Sequence, residues 1–408
     1  MPTPDDHPPI AFADHLRAGD LLVVGSGVGE PEGLVAALGE QVGSLPAAAV
    51  FAGISYSGLF TPELVAALPL SSFGAMGDIA RLAKVGLVNV LPINYVDVAR
   101  HLRSRNPDGL VLMIQVAPAD AAGNHSFGVA VEYAAELIDD ARLVIAEVND
   151  RLPVVRGATV HANRIDVSVH SSRELREIPA GEVTEVHRAI AAHIVPMIAD
   201  GATLQLGIGG VPSAVATLLG EHRRNLKVHS GLVGDWLLDL DASGALDPDA
   251  PIVIGGAAGS AALYDFLSKD SRVELRRIPD LTRVDVTAPI DGFVALNSAV
   301  QVDLSGQVNA EVAGDRYLGG VGGQVDFLRG AQLAREGRSI IALPATAGSR
   351  SRVVRQLDQG VVTTARSGVD TIVTEFGVAD LRGLGLRERA AALAAVAAPE
   401  FREELVSS

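Results

Sequence analysis

The sequence predicts an α/β fold built from two similar halves, and three observations carry that prediction. Short β-branched apolar runs alternate with longer amphipathic or alanine-rich stretches along the 408 residues, a rhythm of strands and helices taken in turn. One strand–glycine–helix pattern occurs twice. Hydrophobic residues make up 48% of the chain against 20% charged, which gives apolar surface enough for two cores.

In chain order, "LLVV" from Leu21, "AAAVFAGI" from Ala47, "LVLMIQV" from Leu110, "ARLVIAEV" from Ala141, "IVIGG" from Ile252, "SIIALP" from Ser339 and "TIVTEFG" from Thr371 read as strands. Their continuous apolar character suits strands covered on both faces. Helices are predicted over 31–38, 80–85, 183–198, 212–219 and 386–396. The repeated pattern is "AGDLLVVGSGVGEPEGLVAAL" from Ala18 and "DGATLQLGIGGVPSAVATLL" from Asp200. In each, a proline sits at the opening of the helix, where a missing N–H costs nothing. The polar stretch "HSSRELREIPAGEVTEV", with Pro179 and Gly181, reads as a linker. The halves are therefore expected over 1–182 and 183–408.

The net charge of −16 and the absence of any Lys/Arg run argue against nucleic-acid or membrane-surface partners. Without cysteine there are no disulfides and no thiolate nucleophiles or ligands. The ten histidines are scattered, and the helical pair His187 and His193 is six apart, so no metal site is expected. The start "MPTPDDHPPIAFADHL" lacks the basic and apolar regions of a secretory leader, and the apolar runs are too short to span a bilayer. A cytoplasmic protein is expected.

Nucleotide fingerprints fail in detail. "GSGVGE" from Gly25 has Glu30 where a dinucleotide motif needs its third glycine, and "GIGGVP" has Pro212 there. No lysine follows a glycine, so there is no P-loop. What remains is a glycine loop, Gly207, Gly209 and Gly210, between a strand and a helix, where backbone N–H groups and the positive helix end suit a phosphate or a developing oxyanion. A second glycine cluster, Gly319, Gly320, Gly322 and Gly323, precedes an apolar run. Ten Phe, five Tyr and one Trp give no readable aromatic cage.

The segments "QLGIGGVPSAV", "VALNSAVQVDLSGQVNAE", "GGVGGQVDFLRGA", "SIIALPATAGSRSRVV", "VTEFGVADLRG" and "LRERAAALAAVAAPEFREEL" resemble the acetyl-CoA hydrolase and 4-hydroxybutyrate CoA-transferase family, a branch of the class I CoA-transferases. "IQVAPADAAGNHSFGVAVEYAAELIDDARLVIAEVNDRLP" is similar to that family's first-domain core. The resemblance implies two tandem α/β domains of the NagB/RpiA/CoA-transferase-like type. It also implies an acyl-CoA substrate, a small carboxylate as acceptor, no separate cofactor, and a homodimer. Transferred by position, Gly207, Ile208, Gly209, Gly210 and Val211 match the CoA-binding glycine segment, and Asn297, Gly320, Val321 and Gly322 match segments that line the thioester.

The pattern breaks at one place. In relatives a histidine and a small residue precede the nucleophilic glutamate; here "VHSGL" keeps His229 and Ser230 but has Gly231. Without a carboxylate there, the covalent exchange that family members use is not available at that position. Hydrolysis by an activated water, with His229, Glu147 or Glu311 as base, is one alternative; transfer through a displaced carboxylate such as Glu311 is another. A non-catalytic CoA-binding module and a carbon–carbon bond hydrolase acting on a CoA-linked dicarbonyl also remain open. Each candidate base equally fits a structural role: His229 bracing a loop, Glu147 pairing with an arginine, Glu311 as a buried structural acid.

Overall fold

The computed structural model describes residues 10–357 and 360–406; most of the acidic, proline-rich start read above lies outside the described residues. The chain forms two compact units. The first holds the described residues through Glu177 with Gly255–Ala257 and Tyr264–Ile278; the second holds Ile178–Ile254, Ala258–Leu263 and the described residues from Pro279 onward.

The first unit is a parallel sheet of β1 (Leu21–Val24), β2 (Ala49–Phe51), β3 (Leu70–Ser72), β4 (Val88–Val90), β5 (Leu110–Val116), β6 (Leu143–Asn149) and β7 (Val167–Ser171), in the order β4-β3-β2-β1-β5-β6-β7. The register sets Leu21 beside Ala49 on one side and Leu110 on the other. Every residue of β5 and β6 is buried, which explains why both read as unbroken apolar runs. The core joins Leu22, Val24, Val50, Met113 and Ile145 of the sheet to Leu34, Val35 and Leu38 of helix α1 (Glu32–Glu40). Strand order reverses between β1 and β5, and the carboxyl ends at such a reversal are where open α/β sheets bind ligands.

In the second unit β8 (Thr203–Leu206) is again flanked by the next strand, β9 (Lys227–Val233), and by a later one, β10 (Phe293–Asn297). β11 (Arg338–Ala342), β12 (Thr371–Thr374) and the antiparallel β13 (Gly377–Asp380) continue the sheet outward from β10. Helices α2 (Glu185–Ile194), α3 (Gly210–His222), α4 (Trp236–Ala242) and α5 (Gln324–Leu333) serve the site. A separate core packs Phe293 and Ile341 against Phe327 and Leu328 of α5. The two repeated sequences thus occupy equivalent central places, each a strand, a glycine turn and a helix. No helix among the described residues is long and apolar enough to cross a membrane.

The seven strands and five helices read from the sequence are all present, with ends shifted by a few residues. β9 was not anticipated. Its sequence "KVHSGLV" carries His229, Ser230 and Gly231 in place of an apolar run, and the strand forms because tertiary partners satisfy the polar groups: Ser230 Oγ donates to the Leu206 carbonyl at 2.7 Å.

Tyr133 ties the carboxyl ends of β1 and β2 together. Its fully buried hydroxyl donates to the Val24 carbonyl (2.7 Å) and accepts from the Gly53 N–H (2.9 Å), while its ring meets Phe51 and Phe73 edge-on. Tyr133→Phe keeps the ring and leaves two buried backbone groups unpaired, so it is expected to destabilise the protein by about 2–4 kcal/mol, read as a lower urea midpoint at unchanged m-value; an unchanged midpoint would refute this role.

Candidate functional site

At the carboxyl end of β8 the chain turns through Gly207, Ile208 and Gly209 into α3. Gly209 has φ +110°, a backbone region closed to side-chain-bearing residues. Gly210 is required for a different reason: a Cβ there would lie 2.2 Å from His187 Nδ1. That nitrogen accepts the Thr184 N–H and completes a capping box at the start of α2. At the other helix, Ser213 N–H bonds the Gly209 carbonyl and Pro212 has no N–H. The N–H groups of Gly210 and Val211, in the first turn of α3, have no acceptor within the helix and lie at its positive end.

Gly207, Ile208, Gly210, Val211 and Asn297 line one cavity of about 290 Å³, together with His187, Ser298, Pro344 and Arg352. Asn297, at the end of β10, is oriented by its Nδ2 donating to Gln205 Oε1 at 2.8 Å. Trp236 braces the loop from below, its indole N–H bonded to the Gly207 carbonyl at 3.0 Å. The cavity therefore combines backbone donors, an amide and a guanidinium. Such a set can hold a phosphate or stabilise an oxyanion.

Gly320, Val321 and Gly322 are not among this cavity's lining residues; they lead into α5, whose Phe327 ring lies between Gly231 and Gly323. A Cβ at Gly231 would meet Phe327 Cε2 at 3.3 Å, and one at Gly323 would meet the same atom at 3.2 Å. The glycine segment and the Gly231 position are thereby brought together around one ring.

The three candidate bases lie in three different settings. His229 is buried, with Nε2 2.7 Å from the Leu281 carbonyl, so that nitrogen carries the proton and donates. Glu311 is buried and accepts from Thr363 Oγ1 at 2.7 Å and from the Tyr317 hydroxyl at 2.9 Å. Burial and this bond to Glu311 push the Tyr317 phenol up to about 12. Glu147, on β6, has no exposed surface; one oxygen accepts from the N–H groups of Gly33 and Leu34 and the other from Ser171 Oγ and Arg173. It occupies the N-terminus of α1.

The structure adds residues that the sequence reading did not single out. Two short hairpins, Val312–Ala313 with Arg316–Tyr317 and Thr346–Ala347 with Arg350–Ser351, each present an exposed arginine. Arg316, Arg350, Arg352 and Arg355 line a cavity of about 1020 Å³, and Arg352 also lines the glycine-loop cavity. Arg316 and Arg350 make no ion pair among the described residues. Burial lowers the pKa of Arg352. The signal was present in "RSRVVR" from Arg350, three arginines in six residues of a lysine-poor acidic chain, but spacing alone does not say that they share a cavity.

In the first unit, Glu30 and Glu132 are buried acids. Glu30 stood in the sequence only as the residue that spoils a dinucleotide motif.

Comparison with known proteins agrees over the length of the chain. The "Acetyl-CoA hydrolase/transferase N-terminal domain" matches residues 9–179 and the "Acetyl-CoA hydrolase/transferase C-terminal domain" residues 259–408. The 4-hydroxybutyrate coenzyme A transferase of Clostridium kluyveri is 40% identical over 332 residues, covering 79% of this chain and 77% of that protein. Butyryl-CoA:acetate CoA-transferase of Anaerostipes caccae is 32% identical, covering 96% and 92%. Among solved structures, RipA from Yersinia pestis superposes with a TM-score of 0.90 at 30% identity, over 96% of this chain and 94% of that one. With both domain families matched and the parallel-sheet units shared, the chain belongs to the acetyl-CoA hydrolase/transferase family.

Proposed function

We propose that this protein is an acyl-CoA-processing enzyme that holds the thioester carbonyl oxygen at the open N-terminus of α3, moving CoA to a small carboxylate or releasing it to water. The observation that supports this reading is the one cavity lined by Gly210 and Val211 of the first turn of α3, by the oriented Asn297 and by Arg352. As the carbonyl carbon becomes tetrahedral its oxygen gains negative charge, and preorganised donors in a partly desolvated site favour that charge over the neutral ground state. Arg352 is common to both cavities, so a ligand anchored at the glycine loop has a path to Arg316 and Arg350. Those arginines suit the phosphates of CoA, which Arg binds through a planar fork of donors. CoA enters as substrate and no further cofactor is invoked; a cytoplasmic homodimer is the assembly we propose.

Gly231 excludes a side-chain nucleophile at its own position. For hydrolysis, a water oxygen bonds to the carbonyl carbon as it loses a proton, the C–S bond breaks, and the thiolate takes up a proton. Of the three candidate bases, Glu147 already accepts two contacts on each oxygen; Glu311 and His229 remain to be tested. Gly231 also supports a second reading, a CoA-binding module that does not turn over.

Mass spectrometry of an acyl-CoA panel separates these readings. Free CoA without an acceptor means hydrolysis, a new acyl-CoA formed only with added acetate means transfer, and saturable binding with neither product selects the binder. Gly210→Ala, which drives a methyl group into His187, is expected to weaken acyl-CoA binding about tenfold or more. Gly39→Ala, on the open face of α1 with nothing within 4 Å of the added carbon, serves as the control that leaves binding unchanged.

Arg350→Gln is expected to raise the Kd for acyl-CoA about fivefold to tenfold at low salt, less at high salt, and to leave a pantetheine thioester lacking the nucleotide unaffected. Equal weakening of both ligands would remove the phosphate role.

Gly231→Glu combined with Phe327→Leu makes room beside the strand. The double variant is expected to trap CoA as a covalent adduct detectable in the intact-protein mass. If it forms none while still binding acyl-CoA, Gly231 does not hold the nucleophile position.

A further inference from the structure

Glu132 is the least ordinary residue of the first unit. It sits at φ 50°, ψ −161°, just before the short 3-10 turn Tyr133–Glu136. That backbone region is almost confined to glycine, and a side-chain-bearing residue held there stores strain of about 1–3 kcal/mol, a feature concentrated at ligand sites. Its side chain is 8% exposed, and its carboxyl makes no hydrogen bond or ion pair among the described residues. A Cβ on Gly256 would lie 3.2 Å from Glu132 Oε1, so the carboxyl rests against glycine backbone and no compensating cation reaches it.

A buried carboxyl without a partner is costly unless something else meets it. Tyr56, in the loop that follows β2, feels its charge: burial and Glu132 push the Tyr56 phenol up to about 12. The Tyr56 hydroxyl likewise has no hydrogen bond among the described residues. Glu30 completes the group from the loop after β1. Its Oε1 accepts from Ser57 Oγ at 2.6 Å, while Oε2 is buried and unpartnered. Burial raises Glu30 to about 7 and Glu132 to about 8. The other titratable groups facing these acids are Tyr133, which both of them influence, and Glu32 and Arg173, which act on Glu30. All these loops leave the carboxyl ends of β1, β2 and β5, at the point where strand order reverses.

We propose that Glu132, with Tyr56, holds the carboxylate of a small organic-acid co-substrate on the first unit through O–H···O hydrogen bonds. Below about pH 8 Glu132 is a neutral acid and donates; the bond it makes to a carboxylate is of the charge-assisted kind, short and about twice as strong as a neutral one. Above that pH both carboxyl groups are anions and repel, as in paired carboxylates that cannot both ionise. The strain at φ 50° then has a function, since it fixes the acid in the cluster of loops beyond the carboxyl ends of the strands. The proposal rests on the reading of the chain as an acyl-CoA enzyme that uses a free carboxylate, and it names where that carboxylate sits.

Isotope-edited NMR titration with butyrate labelled at its carboxyl carbon, without CoA, tests it directly. Wild-type protein is expected to bind saturably at neutral pH and to weaken by about tenfold per pH unit above about 8. Glu132→Gln, which keeps a donor and cannot ionise, is expected to stay within a few-fold of wild type and to lose the pH dependence. Glu132→Gly relieves the strained φ, so its Tm rises while its butyrate Kd increases by about tenfold or more; Tyr56→Phe raises the Kd by about threefold to tenfold. The proposal is overturned by an unchanged Kd in Glu132→Gly, by a pH-independent wild-type affinity, or by no saturable wild-type binding. Butyrate binding as expected, with no acyl-CoA turned over, would defeat the enzymatic reading and leave this site standing.

Discussion

The positive end of a helix, brought by a glycine turn to the carboxyl edge of a central parallel strand, is the constraint on which both units depend. Such an end leaves backbone N–H groups without acceptors and attracts negative charge. In the first unit the chain supplies the charge itself: Glu147, fully buried on β6, takes the N–H groups of Gly33 and Leu34 at the start of α1. In the second unit no side chain among the described residues does so, and Gly210 and Val211 at the start of α3 line a cavity. The same local sequence pattern therefore gives one helix start closed by a buried acid and one that borders a cavity.

Closing the first position organises its surroundings. Arg173 joins Glu147 to Gln115 of β5, Asn149 bonds the same Gln115 oxygen and Ser171 of β7 donates to Glu147, so a polar layer runs across three neighbouring strands. Gln115 Nε2 reaches the Val28 carbonyl and fixes the glycine loop that carries Glu30. A buried carboxylate is tolerable only when its oxygens are filled, and filling them consumes Glu147 as a chemical group. In the first unit, Glu132 and one oxygen of Glu30 make no such bonds among the described residues, and both lie in loops beyond the carboxyl ends of the strands.

In the second unit, Gly231 on β9 does not border open space alone. Phe327 stands against that position and against Gly323, so the strand and the glycine segment of α5 close on an aromatic edge. The glycine loop nearby is held from two sides, by His187 against Gly210 and by the Trp236 indole bonded to the Gly207 carbonyl.

The sequence by itself determined the α/β class, the two-fold repetition of strand, glycine turn and helix, and the glycine loop at 207–211, because these are local: apolar period, turn chemistry and helix openings are written in neighbouring residues. It also supplied the family, through long motifs. It did not reveal β9, whose polar residues become a strand only through partners such as Leu206 and Leu281, distant in sequence. Only the tertiary structure decided that Glu147 closes a helix end, that Arg316 and Arg350 share a cavity with Arg352, and that Glu132 is buried without a partner. Each of those facts is a matter of desolvation and of contacts between remote segments, and the cost of burying a charge depends on what surrounds it in space.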